Sequence, residues 1–319
     1  MSGEATIVSG GARALETSWS GPTAGRVTVR VPATSANVGV GFDCLGLALD
    51  LMATFTFEAT EGAADVITGC EERFRGSDNL ALRSYRHACA ELGLPTHTVR
   101  LDIDSPIPLS GGLGSSSACV VAGVCAAQIL GGMAYDRRRT LDLAVAMEGH
   151  PDNVAPAVLG GLTSSFVDED GTTTTLRDDV APHLRFVTIT PPYEIRTEQA
   201  REILPREVPR STAVWQMGRC VAVIRALRRG NAELLAKACH DRLHEPYRSK
   251  LIPHYEPVKK ACLEAGAAAF VISGSGSTML AMCADDRSAR AVVEAARKVD
   301  AVLEVRMLGP NATGATLSV

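Results

Sequence analysis

"PLSGGLGSSSACVVAGVCAAQIL", residues 108–130, sets glycines and serines directly before a long apolar run. Three readings compete for it: a membrane segment with a small-residue leader, the start of a buried helix, or a cradle for phosphates. The apolar part, Ala118 to Leu130, is too short, too rich in Ala and too interrupted by Gln128 for a membrane span. It stops at Gly131 and Gly132, and Ser115, Ser116 and Ser117 suit a helix start. An Ala and Val helix of this kind fits a place where backbones approach closely. Ahead of it, Gly111, Gly112 and Gly114 leave backbone N–H groups unhindered where the positive end of the helix dipole converges. That is an anion site, although a tight strand-to-helix turn would use the same glycines. The three serines tip the reading toward phosphate. The loop is not a Walker A motif, because no Lys precedes the Ser/Thr, and it is not a GxGxxG turn after a first strand.

Working outward, "VTVRV" and "ATFTFEA" flank a Gly, Ser and Asn-rich middle, so two strands joined by a loop are expected. Residues 78–93 carry a helical pattern closing at Gly93, and residues 97–108 alternate as a strand does. "YDRRRTLDLAVAMEGH" reads as a helix capped by Asp136, with Leu141, Leu143, Ala144, Val145 and Met147 facing inward. "FVDEDGTTTTLRDD" marks a surface hairpin or a domain junction.

Beyond it come a strand at "LRFVTITPP" and helices over 211–230 and 231–245, capped by Ser211 or Asn231 and closed near Gly230. A helix at "PVKKACLEAG" precedes two strands joined through "GSGS", then a helix over 286–299 and a final strand at "VLEVRML". This order resembles a split βαβ, ferredoxin-like layer. The fold class is α+β, with a disordered leader over 1–25 and domains over 26–165 and 166–319.

Composition narrows the function classes. Of 319 residues, 46% are hydrophobic and 21% charged, with a net charge of -4. That leaves no electrostatic footprint for nucleic acid or an anionic membrane. The nine cysteines show no CxxC spacing and sit mostly among Ala, Val or Leu, so they read as small buried residues in a reducing, cytoplasmic setting. The first 25 residues lack a continuous apolar core flanked by basic residues, which argues against a signal peptide.

Glu148 falls in the last turn of its helix, where the dipole disfavours a carboxylate and a nearby cation would relieve it. A serine hydroxyl, a carboxylate and nucleotide phosphates together are a usual way to hold Mg²⁺, although a solvated glutamate would look the same in sequence. His150, Asp152 and Asn153 follow in a segment that suits a cleft wall, and the earlier loop offers Asn37 and Asp43. His240 and His244 are spaced i, i+4 on an expected helix, but no third ligand accompanies them and a solvated helix face is the better reading.

Four ordered segments, "VPATSANVGVGFDCLGLAL", "PLSGGLGSSSA", "EGHPDNVAPAVLGG" and "ISGSGST", resemble the GHMP small-molecule kinases. "TEQAREILP" and "EPYRSKLIP" look like the homoserine kinases within them. The resemblance covers residues 26 to 319. It implies a ribosomal-protein-S5-like N-terminal domain, a ferredoxin-like C-terminal domain and an active site between them. It further implies transfer of the ATP γ-phosphate to the side-chain hydroxyl of L-homoserine.

Under that resemblance Pro108, Leu109, Ser110, Gly111, Gly112, Leu113, Gly114, Ser115, Ser116, Ser117 and Ala118 wrap the phosphates, and Asn79 borders the adenine. Ser116 and Glu148 hold Mg²⁺. Asn37, Asp43, His150, Asn153 and Gly274 line the amino-acid pocket, with Arg201 and Arg248 reaching the carboxylate and Asp43 the ammonium. Some relatives place an Asp base where this chain has Asn153, so the implied mechanism is positioning and charge stabilisation through Ser116, Glu148 and Asn153, without a phospho-enzyme. Asp152 is a weaker candidate for proton acceptor. Ser277 stands where the third motif usually has Pro, which puts the rigidity of that turn in doubt. A kinase for another small alcohol such as threonine, or a silent ligand-binding protein, remain the alternatives; a homodimer is left open.

Overall fold

A computed structural model describes residues 6–8, 25–109 and 111–319. Ser110 and most of the expected leader lie outside the described residues. In chain order the first half contains β1 (Thr6–Val8), β2 (Arg26–Ala36), β3 (Leu45–Thr60), β4 (Val66–Thr68), α1 (Leu80–Leu92), β5 (Thr98–Asp104), α2 (Ser115–Leu130), α3 (Arg137–Glu148), α4 (Pro151–Leu159), β6 (Leu162–Val167) and β7 (Thr173–Asp178). The second contains β8 (Arg185–Thr190), α5 (Thr197–Glu202), α6 (Arg210–Arg229), α7 (Ala232–Ala238), α8 (Glu245–Arg248), α9 (Tyr255–Glu264), β9 (Ala269–Ile272), β10 (Met279–Cys283), α10 (Asp286–Val299), β11 (Glu304–Leu308) and β12 (Thr316–Ser318).

Two sheets organise these elements. In the larger, the strands run β1-β7-β6-β3-β2-β12, with β5 and β4 added along the far half of β3. The length of β3 makes this possible: Leu45–Leu47 pair with β6, while Thr54–Thr60 pair with β5. β2 alternates exposed Arg26 and Arg30 with buried Val27, Val29 and Val31, as a half-buried strand must. Its register shifts between Pro32 and Ala33, and from there to Ala36 every residue is buried.

The smaller sheet is antiparallel, in the order β11-β8-β10-β9. Numbered from β8, that is the split βαβ order expected from the second half of the sequence. Both of its faces are covered. Phe270 and Ile272 of β9, with Val187 and Ile189 of β8, join Val258 of α9 and Val292 of α10 in one core. Their neighbours Val271, Phe186, Leu280 and Met282 face the opposite way, into a core shared with α6, α7 and the larger sheet. The period of two therefore decides which side of the molecule each residue stabilises.

Two expectations need correction. Thr6–Val8, inside the expected leader, is a strand paired with Thr175–Arg177, as a β-branched "TIV" run allows. The boundary at 165/166 falls within β6. The Thr-rich stretch is a hairpin strand of the larger sheet, so the chain crosses to the smaller sheet only between Asp178 and Arg185, and β12 returns to pair with β2.

α2 packs against α1, α3, α4 and β2 and is buried along most of its length. A Cβ on Gly123 would stand 2.4 Å from the Ala81 carbonyl oxygen of α1, so the two backbones meet where only glycine fits. No helix among the described residues is long and apolar enough to cross a membrane. All nine cysteines are free; Cys89, Cys125, Cys239, Cys262 and Cys283 are buried as expected, but Cys44 is exposed.

Candidate active site

The glycine loop lies between β2 and the turn that joins β9 to β10. Thr34 N–H donates to the Leu113 carbonyl at 3.1 Å, Thr278 N–H to that of Gly111 at 3.0 Å, and the Ser273 hydroxyl to that of Gly112 at 2.6 Å. Gly112 and Gly114 take positive φ, +81° and +71°, and a Cβ at either would collide with Ser273 backbone or Thr34 Oγ1. The first bond inside α2 runs from Ala118 N–H to Gly114. The N–H groups of Ser115, Ser116 and Ser117 precede it and are the orphan donors of the helix start. α2 begins at Ser115 as expected, and its N-cap, Gly114, has no side chain to cap with.

The serine hydroxyls turn elsewhere. Ser116 Oγ and Ser117 Oγ both donate to Glu148 Oε2, at 3.1 and 3.0 Å. Glu148 ends α3 as expected, and its carboxylate sits at the positive end of α2, which with the two hydroxyls offsets the unfavourable end of its own helix.

A cavity of about 330 Å³ opens here, lined by Asn37, Asp43, Gly112, Gly114, Ser115, Ser116, Glu148, His150, Asn153, Arg201, Arg248 and Gly274, all anticipated from sequence. Asp152 and the unanticipated Ile195, Arg196, Thr197, Glu198 and Ser275 also line it. A second cavity of about 390 Å³ shares Ser115 and Ser116 with the first. Its wall is mainly apolar, from Phe55, Phe74, Leu80, Ile103, Ile107 and Leu109, and Asn79 borders it. Asn79 Oδ1 caps α1 by accepting from Ala81 and Leu82 N–H, and Nδ2 donates to the Phe74 carbonyl.

Asn37, Val38 and Asp43 all have positive φ, at 68°, 46° and 56°, which non-glycine residues seldom adopt and which tertiary contacts must hold. The Asn37 amide supplies two such contacts, since Nδ2 donates to the Gly274 carbonyl at 2.9 Å and Oδ1 accepts Asp43 N–H at 3.0 Å. From behind, His244 Nε2 meets the Gly39 carbonyl at 2.8 Å and Gln216 donates to that of Val40 at 2.9 Å. Burial pushes the His244 pKa down, so the ring is neutral and Nε2 is the donor.

Two pairs of charged groups meet here, Arg201 with Asp43 and His150 with Asp152. Both terminal nitrogens of Arg201 bond Asp43 at 3.0 Å, which raises the Arg201 pKa further. Arg248 is buried, donates to the carbonyls of Ala200 and Gly274, and lies 5.1 Å over the Phe42 ring. His150 Nδ1 contacts Asp152 Oδ1 at 2.7 Å, and that bond raises the His150 pKa. Asn153 Oδ1 accepts from Thr34 Oγ1 at 2.8 Å.

Other sequence readings change. α7 ends at Ala238, so His240 and His244 do not share a helix; Asp241 Oδ2 instead gathers the N–H groups of Leu243, His244 and Glu245. Asn231 caps α7, but α6 begins after Pro209 and Ser211 caps nothing. Ser277 is buried and its hydroxyl donates to the Tyr193 carbonyl at 2.6 Å, which ties down the turn that was expected to loosen. Sequence reasoning missed Thr34, Gln216 and the role of His244. Thr34 lay inside a motif already singled out, and His244 was read as part of a solvated helix face although it is buried; Gln216 acts from the far half of the chain and left no local signal.

The family model for the GHMP kinases N terminal domain matches residues 79–161, and that for GHMP kinases C terminal matches 223–301. The chain is 38% identical over 260 residues to a homoserine kinase of Clostridium botulinum, spanning 82% of this chain and 87% of that protein. It is 43% identical over 267 residues to a homoserine kinase of Synechococcus, with the same two coverages. Among solved structures, homoserine kinase from Cytophaga hutchinsonii superposes with a TM-score of 0.84 at 31% identity, covering 93% of this chain and 99% of that one.

Proposed function

The chain belongs to the GHMP kinases, in the homoserine kinase family, and we propose that it transfers the γ-phosphoryl group of ATP to the side-chain hydroxyl of L-homoserine, giving O-phospho-L-homoserine. The observation that carries the proposal is the meeting of the two cavities at Ser115 and Ser116, under the Glu148 carboxylate. An apolar cavity beside a helix start suits a base and its phosphates; a polar one beyond it, walled by Arg201, Arg248 and Asp43, suits a zwitterionic amino acid. Asn79 then shapes the adenine end through its cap on α1. Arg201, Arg248 and Asp43 take the acceptor's carboxylate and ammonium, with Asn37 and Gly274 holding the loop that carries Asp43.

Two hydroxyls 3.0–3.1 Å from one carboxylate oxygen are hard oxygen donors that fit Mg²⁺, and Ser116 with Glu148 would hold it. No group of three His, Cys, Asp or Glu able to hold a metal occurs among the described residues, so the remaining ligands would be phosphate and water oxygens. When bound, the ion neutralises charge on the phosphates. The loop N–H groups of Ser115, Ser116 and Ser117 orient the γ-phosphate, and the acceptor cavity brings the hydroxyl in line with it. As the new oxygen–phosphorus bond forms, the bond to the β-phosphate oxygen breaks and ADP leaves with the electron pair. The hydroxyl proton passes to the transferred phosphate or to water, because a loose transition state needs no protein base. Asn153 supplies a neutral hydrogen bond there in place of a base, and Asp152 is engaged with His150.

The test is ADP release from Mg-ATP with L-homoserine, L-threonine, L-serine and mevalonate offered separately, beside Glu148→Ala. Turnover selective for L-homoserine and lost in the variant supports the reading; turnover of another alcohol alone, a covalent phosphoryl-protein, or ATP binding without turnover overturns it.

A further inference from the structure

We propose that Thr34 is a positioning residue that fixes which face of the Asn153 amide meets the transferring phosphoryl group; this rests on the kinase reading above. Thr34 lies in the fully buried end of β2, and none of its surface reaches solvent. A buried hydroxyl must place its proton on an acceptor, and the acceptor here is Asn153 Oδ1 at 2.8 Å. The Thr34 backbone N–H is already engaged with the Leu113 carbonyl of the phosphate loop. One residue therefore holds the loop through its main chain and Asn153 through its side chain.

The consequence for Asn153 follows from the planarity of an amide. With Oδ1 drawn to Thr34, Nδ2 is turned away, and no described residue accepts a bond from it. Asn153 lines the acceptor cavity together with Ser116 and Glu148, so the side it offers there is a donor pair. Donors stabilise charge that grows on the phosphoryl and acceptor oxygens, whereas the flipped amide would oppose that charge with a carbonyl oxygen. Flipping would also strand the Thr34 proton in a dry site. Gly114 belongs to the same device. A Cβ there would lie 2.0 Å from Thr34 Oγ1, so glycine is what lets the loop close onto the hydroxyl.

Thr34→Val keeps the shape and deletes the hydroxyl, Thr34→Ser keeps the hydroxyl, and Thr34→Ala is a second deletion should the valine variant fold poorly. All are measured in the full chain with Mg-ATP and L-homoserine, beside thermal unfolding. The expected result for Thr34→Val is a kcat about 10- to 100-fold lower with both KM values within about twofold, and recovery to within about threefold in Thr34→Ser. In an Asn153→Ala background the same change should cost less than about threefold, because the amide it orients is gone. An unchanged kcat in both deletion variants, or an equal loss with and without Asn153, overturns the inference. Wild-type protein that fails to phosphorylate L-homoserine defeats the kinase reading instead, so the two failures are distinguishable.

Discussion

Single side chains at the site are held by partners that sequence alone does not show. Glu148 is the clearest case. Its place at a helix C-terminus was readable, but its two serine donors belong to another helix. Glu148→Gln keeps the hydrogen bonds and removes the charge, so it should lower kcat by about 100-fold or more, with a raised requirement for Mg²⁺ in a titration. Arg201 and Asp43 behave differently, because each neutralises the other across the chain. Asp43→Asn should raise the KM for the amino acid by about tenfold or more while the KM for ATP stays within about twofold, as steady-state kinetics with each substrate varied would register.

At the scale of elements, most of the strands and helices follow from local pattern. α1, α3 and α10 begin and end close to where local pattern puts them, with Asn79, Asp136 and Asp285 accepting the first-turn N–H groups, whereas β2 runs past its expected end at Val31 through to Ala36. α7 stops at Ala238 because Asp241 binds three successive N–H groups that would otherwise continue the helix, and a helical periodicity reads through such a competitor. α2 begins at Ser115 as the three serines suggest, but its N-cap is Gly114, because the loop must pass Thr34 without a Cβ. Gly123→Ala should therefore destabilise the protein by roughly 2–4 kcal/mol in urea unfolding, since its methyl meets α1 backbone and no side chain can yield. A loss below about 0.5 kcal/mol would refute that close approach.

For the whole molecule, the polar cavity lined by Asn37 and Asp43 depends on contacts between distant parts of the chain. The loop carrying Asn37 and Asp43 is clamped by Gln216, His244 and Gly274, all more than 170 positions away. Glu245, beside that clamp, is buried, accepts Ile272 N–H at 2.7 Å, and has its carboxyl pKa pushed up to about 8 by burial. Its folded pKa lies above the unfolded value, so the folded state holds the extra proton; its stability contribution is full below the unfolded pKa and is lost as pH rises toward about 8. His244 acts in the opposite sense, its depressed pKa costing stability as pH falls below the ordinary histidine range. Denaturant unfolding of Glu245→Gln should thus lose less stability than wild type between about pH 5 and pH 9, and parallel curves would refute this.

The sequence by itself determined the α+β class, the split βαβ half, the glycine-rich turn into α2 and the family, because periodicity, glycine placement and short motifs are local properties of the chain. Only the tertiary structure decided that Arg201 meets Asp43, that β12 closes the first sheet, and that Thr34 faces Asn153. These pairings join residues that sequence separation hides, and burial is what forces each polar group to find the partner it has.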